Sequence, residues 1–143
     1  MSAAQETVKQ ARMIHGIFLL TIALYAFTGE MIGRSEVGTE TLQWIRIGFF
    51  AVAAYNIFLA KVFRKRMISS SLEALNRDPT KSEALKNWQD GNFVTFCFCE
   101  VVALLGLGLR FFGGTLMEAS LYYVTAAALL ILWAPRAEFV REM

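Results

Sequence analysis

Glu100 is the residue of this sequence whose position most strongly indicates chemistry. It is the only Asp, Glu, Lys or Arg between Phe93 and Leu109, in an otherwise apolar stretch. An ionised carboxylate in the middle of a bilayer costs at least ~2.5 kcal/mol. At neutral pH this acid is therefore expected to be protonated, paired or in contact with water. It either binds and releases a proton or packs as a neutral group, and the sequence leaves both roles open.

Three polar side chains in other apolar stretches are candidates to meet Glu100. Thr21, Asn56 and Thr125 each lie six to nine residues from the same end of their stretch, about 9–14 Å along a helix. We therefore predict a polar layer inside a helix bundle, in which Asn56 hydrogen-bonds the Glu100 carboxyl group. Such bonds join membrane helices with ~0.6–2 kcal/mol each.

Glu30 and Arg110 are the second pair of candidate residues. The alignment of the two halves of the chain that is described below places them at equivalent positions near one end of their helices. We predict an interhelical ion pair that fixes helix register and contributes ~1 kcal/mol or less, because it is partly hydrated. Arg46 with Glu40 or Glu118 is a looser alternative.

The sequence offers little for a metal or cofactor. His15 is the only histidine, so two histidines of one chain cannot hold a haem. We interpret His15 as an interface residue; a single axial ligand to a haem or chlorophyll is the alternative. Cys97 and Cys99 point to different helix faces and cannot pair; they are interpreted as small apolar residues. The spans contain no Ser-His, Asp-Asp or metal-ligand cluster. We expect no metal, no cofactor and no enzymatic activity.

These residues lie in four apolar stretches that predict membrane helices. The 143 residues are 56% hydrophobic and 18% charged, with a net charge of +2, unlike an ordinary soluble or nucleic-acid-binding domain. A helix crosses the hydrocarbon core with about 20 residues, which predicts spans at 13–33, 44–62, 92–112 and 119–135. The predicted fold class is an all-α membrane protein, a single four-helix transmembrane domain in the lipid bilayer.

Basic residues predict the orientation of the chain. Eleven of the 14 Lys and Arg residues lie in 1–12, 61–91 and 135–143, and such residues in short loops stay cytoplasmic. Both termini are therefore predicted to be cytoplasmic, in a bacterial inner membrane, with Trp88 and Trp133 as interfacial anchors. The other three basic residues are Arg34, Arg46 and Arg110.

The connector over 63–91 is polar but has helical signals. Ser70-x-x-Glu73 and Thr80-x-x-Glu83 have the spacing of capping boxes, and Asp78-Pro79 is typical of a helix start. These signals predict two short helices on the membrane surface, the second continuing into the third span. A solvated connector is the alternative.

The two halves of the chain show a weak internal similarity. Segment 23–33 aligns with 103–113, with Ala-Leu at one end and Gly at the other. The alignment predicts two duplicated helical hairpins that enter the membrane from the same side.

Small residues predict close helix contacts, and apolar surfaces on both sides of the helices favour association with copies or with other membrane subunits. The small residues are Ala51, Ala53, Ala54, Ala103, Gly106, Gly108, Ala126, Ala127 and Ala128.

The third span resembles the ion-binding helix of the rotary ATPase proteolipid, the subunit of the membrane rotor ring. The family pattern Phe-x-Glu-Val-x-x-Leu-x-Gly-Leu is matched by Phe98, Glu100, Val101, Leu104, Gly106 and Leu107. The resemblance implies that Glu100 carries a transported proton. The pattern Glu-x-x-Ala-x-x-Gly-Leu also resembles small uncharacterised four-span bacterial membrane proteins.

The sequence therefore favours a non-enzymatic membrane subunit that oligomerises or packs in a larger complex, with Glu100 as a proton-binding or packing residue. The alternative is a proteolipid-like, proton-translocating subunit of a rotary ATPase.

Overall fold

The computed structural model describes residues 3–32, 35, 37–78 and 80–135, and these residues form an all-helical fold. Helix α1 is Ala3–Met31, α2 is Thr39–Arg77, α3 is Ser82–Phe111 and α4 is Leu116–Leu132. The predicted all-α class with four helices is confirmed. The roles predicted for Gly33, Arg34, Pro79, Arg136 and Arg141 lie outside the described residues.

Three of these helices, α1, α2 and α3, are long and apolar enough to cross a membrane. Helix α4 has 17 residues, about 26 Å at 1.5 Å per residue, the lower limit for a crossing. Its crossing stays a prediction. Helix α2, with 39 residues, is about 58 Å long, so it must extend well beyond the ~30 Å hydrocarbon core.

Helix α3 is the centre of the bundle. Within the described residues it packs against each of the other helices, and α1 also packs against α4, whereas α2 has an extensive interface only with α3. A groove between α2 and α4 results. In the first predicted hairpin, α1 and α2 lack an extensive interface, whereas α3 and α4 of the second hairpin pack on each other.

Polar side chains mark two levels of the bundle. At the hairpin end, where α1 ends and α4 begins, Arg110 contacts Glu30 and Arg46 contacts Glu118. At the other end of α4, His15 contacts the Leu130 carbonyl. Arg64 belongs to the same level and lies 18 residues from Arg46 on α2, about 27 Å. This distance is close to the thickness of the bilayer core.

Helices α1, α2 and α3 continue beyond the end of α4 as an extension. A separate apolar cluster holds it together, formed by Ala4, Val8, Ala11, Ile68, Leu75, Ala84, Leu85 and Trp88. Trp88 is 1% exposed, so the prediction of an interfacial anchor there was wrong. The prediction of a separate first surface helix was also wrong, because α2 runs without interruption to Arg77 and its apolar positions pack on α3. The prediction that the second helix continues into the third span is confirmed, because α3 runs from Ser82 to Phe111.

The turn between α2 and α3 is organised by Asp78. Its Oδ1 accepts hydrogen bonds from the Thr80 hydroxyl (2.6 Å) and backbone N–H (2.9 Å). Both bonds lower the pKa of Asp78, and the bond from the hydroxyl has the larger effect. This is an Asx-type turn. Helix α3 begins only at Ser82, with Lys81 as N-cap and no side-chain cap, so the predicted start at 78–80 was wrong by a few residues.

Glycine allows α3 and α4 to approach closely, as the small residues predicted. A Cβ added at Gly106 would lie 2.9 Å from the Tyr122 Cβ and 3.0 Å from the Ala119 carbonyl oxygen. Gly108 similarly accommodates the Phe49 ring, at 3.1 Å. Because the Gly106 contact is partly with backbone, α4 can only move away as a whole to admit a side chain.

We predict that Gly106→Ala destabilises the bundle by about 1–3 kcal/mol, the usual cost of overpacking. Gly48→Ala is the matched control, since nothing lies within 4 Å of its Cβ position. Thermal unfolding in detergent checks this: the Gly106 variant should melt several degrees below the Gly48 variant. Equal melting temperatures would contradict the close α3–α4 crossing.

Candidate functional site

Glu100 lies in the apolar part of the bundle, on the side of α3 that faces α1. It is ten residues from Arg110, about 15 Å, and four from Phe96, about 6 Å. The Phe96 ring lies 5.3 Å from the His15 ring. Glu100 is therefore about one helical turn inside the level of His15, closer to that level than to the hairpin end.

The carboxyl group of Glu100 is shielded although the residue as a whole is half-buried. Neither oxygen is in contact with solvent, and neither forms a hydrogen bond. The side chain that acts on it most directly is Tyr25 of α1, whose hydroxyl lies near the carboxyl group. A buried acid with unsatisfied oxygens is far cheaper neutral than ionised.

The close contacts between helices fix which residues share the level of Glu100. Helices α1 and α3 are parallel, and the contacts Gly29 to Arg110 and Phe18 to Phe96 are offset by 81 and 78 positions. Glu100 is therefore level with residues 19–22 of α1, which include Thr21. The antiparallel contact of Gly108 with Phe49 places Glu100 level with residue 57 of α2, next to Asn56.

Thr21 and Asn56 nevertheless form no hydrogen bond with Glu100, so that part of the predicted polar layer was wrong. The Thr21 hydroxyl donates to the Ile17 carbonyl at 2.9 Å, and the Asn56 amide nitrogen donates to the Val52 carbonyl at 2.8 Å. Both bonds join residues four apart in one helix. In an apolar environment this local bond satisfies the donor without requiring a neighbouring helix.

Thr125 lies on the other side of α3 from Glu100. It is exposed and lines the groove between α2 and α4, together with Val102 and Leu109 of α3. These two α3 residues are rotated by about 160–180° from Glu100 around the helix axis, at 3.6 residues per turn. The prediction that Thr125 joins the polar layer with Glu100 was therefore wrong. Counting residues along each span gives the depth of a side chain but not the direction in which it points.

Sequence reasoning missed Tyr25. Its Cα lies one turn above Thr21, so a comparison of Cα depths excludes it. Helical side chains lean toward the N-terminus, which brings the Tyr25 hydroxyl down to the Glu100 level. A tyrosine one turn beyond the depth of a buried acid was the available signal.

Glu30 and Arg110 are in contact. The Arg110 Nη2 lies 2.7 Å from the Glu30 Oε1, and Nη1 donates to the Gly114 carbonyl at 3.0 Å. The Arg110 side chain is 3% exposed and that of Glu30 46%. Because the guanidinium is buried, loss of Glu30 would leave an uncompensated charge, and the pair matters more than a surface ion pair.

Arg46 and Glu118 form the second ion pair at this end, the looser alternative of the sequence analysis. Their closest atoms, Nε and Oε1, are 2.8 Å apart. Glu118 also belongs to the capping box of α4, in which its carboxylate accepts from the Thr115 backbone N–H at 2.7 Å. The pair therefore joins α2 to the N-terminus of α4.

His15 has a structural contact that explains its position. Its Nε2 is 2.9 Å from the Leu130 carbonyl oxygen in the last turn of α4, and since a carbonyl only accepts, Nε2 carries the hydrogen. Arg64 donates to the Trp133 carbonyl at 3.3 Å. Side chains of α1 and α2 thus satisfy carbonyl groups that a helix end leaves without partners.

The described residues contain no group of three or more His, Cys, Asp or Glu side chains that could hold a metal ion. Cys97 and Cys99 are free thiols. Comparison of the chain with protein-family models, curated proteins and solved structures finds no match.

The Glu30–Arg110 contact predicts a charge-swap result. Glu30→Arg places two cations together, and Arg110→Glu places two anions together at a buried site. Each variant should lower the free energy of unfolding by about 3 kcal/mol or more, because the charge at position 110 is buried. The melting temperature should fall accordingly, or the bundle should fail to assemble. The double variant should recover much of this loss, as measured by thermal unfolding in detergent. A double variant no better than the worse single variant would contradict the pairing.

Proposed function

We propose that this chain is a non-enzymatic integral membrane subunit that works in a larger membrane assembly, and that Glu100 is its proton-binding group. We place it in a bacterial inner membrane with both termini in the cytoplasm, on the basis of the basic residues at one end. The observation that carries the proposal is the Glu100 carboxyl, shielded and without a hydrogen bond in the apolar part of the bundle.

A proton is the ligand that this environment favours. The carboxyl oxygens have no room for a coordinating shell, and no Lys or Arg contacts them in the described residues. Uptake of a proton removes the charge and with it most of the desolvation cost. Release requires access to water or to a partner, and Glu100 shares one stripe of α3 with Leu104 and Phe111, which are both exposed.

Assembly with other membrane chains is supported by the outer face of α1. Its large apolar residues recur at alternating intervals of four and three, the spacing of a left-handed helix seam, and all are more than half exposed. They are Met13, Ile17, Leu20, Leu24, Phe27 and Met31. Lipid satisfies such a face, but the same spacing also suits a neighbouring helix.

A proton-translocating, proteolipid-like subunit is the second candidate. It is favoured by the stretch 98–107 around Glu100 and by the shielded carboxyl group of this acid. In that case many identical chains would form one particle. Native mass of the detergent-extracted particle separates the candidates, since a ring of copies supports the second and a defined hetero-complex the first.

We predict that dicyclohexylcarbodiimide, which reacts with protonated carboxyl groups in apolar surroundings, modifies one site per chain in membranes. Glu100→Gln should remove the modification, and the rate should fall as the pH rises because only the protonated acid reacts. Intact-mass spectrometry of the extracted chain measures both.

Glu40→Gln is the matched control, because Glu40 is exposed in the first turn of α2, and it should keep the modification. Modification that is equal in wild type and Glu100→Gln would contradict a proton site at Glu100. Modification of Glu100 at a rate independent of pH would contradict it as well. If Glu100→Gln also preserves every activity of the assembly, the acid has only a packing role.

A further inference from the structure

The groove between α2 and α4 is a second feature of the bundle, separate from Glu100. Its volume of about 600 Å³ is within the range of ligand-binding pockets. The groove opens toward the outside of the bundle. Its floor is Ala53, Val102 and Leu109, and its walls are apolar, including Phe50 of α2 and Leu121 of α4. The groove exists because α2 packs on α3 without an extensive interface with α4.

The length of the groove fits one leaflet of a bilayer. On α2 it runs from Arg46 to Ile57, about 16 Å at 1.5 Å per residue, and on α4 from Glu118 to Thr125, about 10 Å. One leaflet contributes about half of the ~30 Å hydrocarbon core. The groove thus starts at the charged level of the hairpin end and stops near the middle of the apolar slab.

The charged end of the groove has spare hydrogen-bond donors. Arg46 uses Nε and Nη2 toward Glu118, which leaves Nη1 without a bond to any described residue. Its side chain is 41% exposed. Glu118 is itself held by the capping box of α4, so it keeps the guanidinium at the mouth of the groove. A planar guanidinium with free N–H groups suits a phosphate oxygen.

We infer that this groove binds one membrane phospholipid, with an acyl chain along the Ala53 floor and the headgroup phosphate on Arg46. A transmembrane helix of a second copy fits less well, because it would need a groove across the whole slab. An apolar groove alone would accept any lipid tail, and Arg46 at the headgroup level adds the preference for a phosphate.

Native mass spectrometry of the full chain, released from nanodiscs of phosphatidylglycerol, tests this inference. The wild-type chain should retain one lipid. Ala54→Phe, which fills the groove without touching the Arg46–Glu118 pair, should lose it. Ala51→Phe is the matched control, because Ala51 is equally exposed on α2 but lies outside the groove, and it should retain the lipid. Arg46→Gln should weaken retention by about fivefold.

Four results would overturn the inference. Equal retention by the Ala54 and Ala51 variants would place the lipid elsewhere. A wild-type dimer without lipid that Ala54→Phe converts to a monomer would assign the groove to a second copy. Retention of diacylglycerol as strong as that of phosphatidylglycerol would remove the role of the phosphate, and competition by inorganic phosphate alone would identify Arg46 as a free-anion site.

Discussion

An apolar bilayer core imposes one constraint on this fold: a polar group inside it must find a partner within the protein or give up its charge. The structure meets this constraint locally wherever it can. Thr21 and Asn56 bond carbonyl groups of their own helices, and the two ion pairs that join different helices among the described residues lie at one level, the hairpin end. Glu100 has neither solution, so its chemistry follows from the constraint itself.

The same constraint explains how α4 is held. This short helix has an internal capping box at its N-terminus, and an arginine of α2 binds the glutamate of that box. At its C-terminus, His15 and Arg64 satisfy carbonyl groups. Two neighbouring helices thus supply polar partners at the ends, while the middle of α4 packs on α3 through Gly106. These contacts fix the position of α4 along the bundle, and the α2–α4 groove is left open between them.

Much of the fold could be predicted from the sequence because burial in a membrane leaves a simple signal. Long apolar stretches correctly predicted the helices, and small residues correctly predicted the close contact at Gly106. The extension was not predicted as a packed unit, because Trp88 and the apolar positions of 66–91 read equally well as surface helices. Only contact with Ala4, Val8 and Ala11 of α1 shows that they form a core.

For the site, counting residues gave the correct depth but not the direction of each side chain. Thr21 and Asn56 are level with Glu100, yet they form hydrogen bonds within their own helices. Thr125 lines the α2–α4 groove on the opposite side of α3. Rotation about a helix axis depends on which helices pack together, and here α3 is central while α1 and α2 are apart. The proximity of Tyr25 to Glu100 follows from the packing of α1 on α3.

A Glu100 that holds a proton at neutral pH is an uncharged acid inside the bundle. Infrared difference spectroscopy of the full chain in lipid bilayers at neutral pH, comparing wild type with Glu100→Gln, detects this protonation state. The wild type should show the C=O stretching band of a protonated carboxylic acid, and this band should be absent from the variant. A difference spectrum that contains only the carboxylate bands of an ionised glutamate would rule out a protonated Glu100.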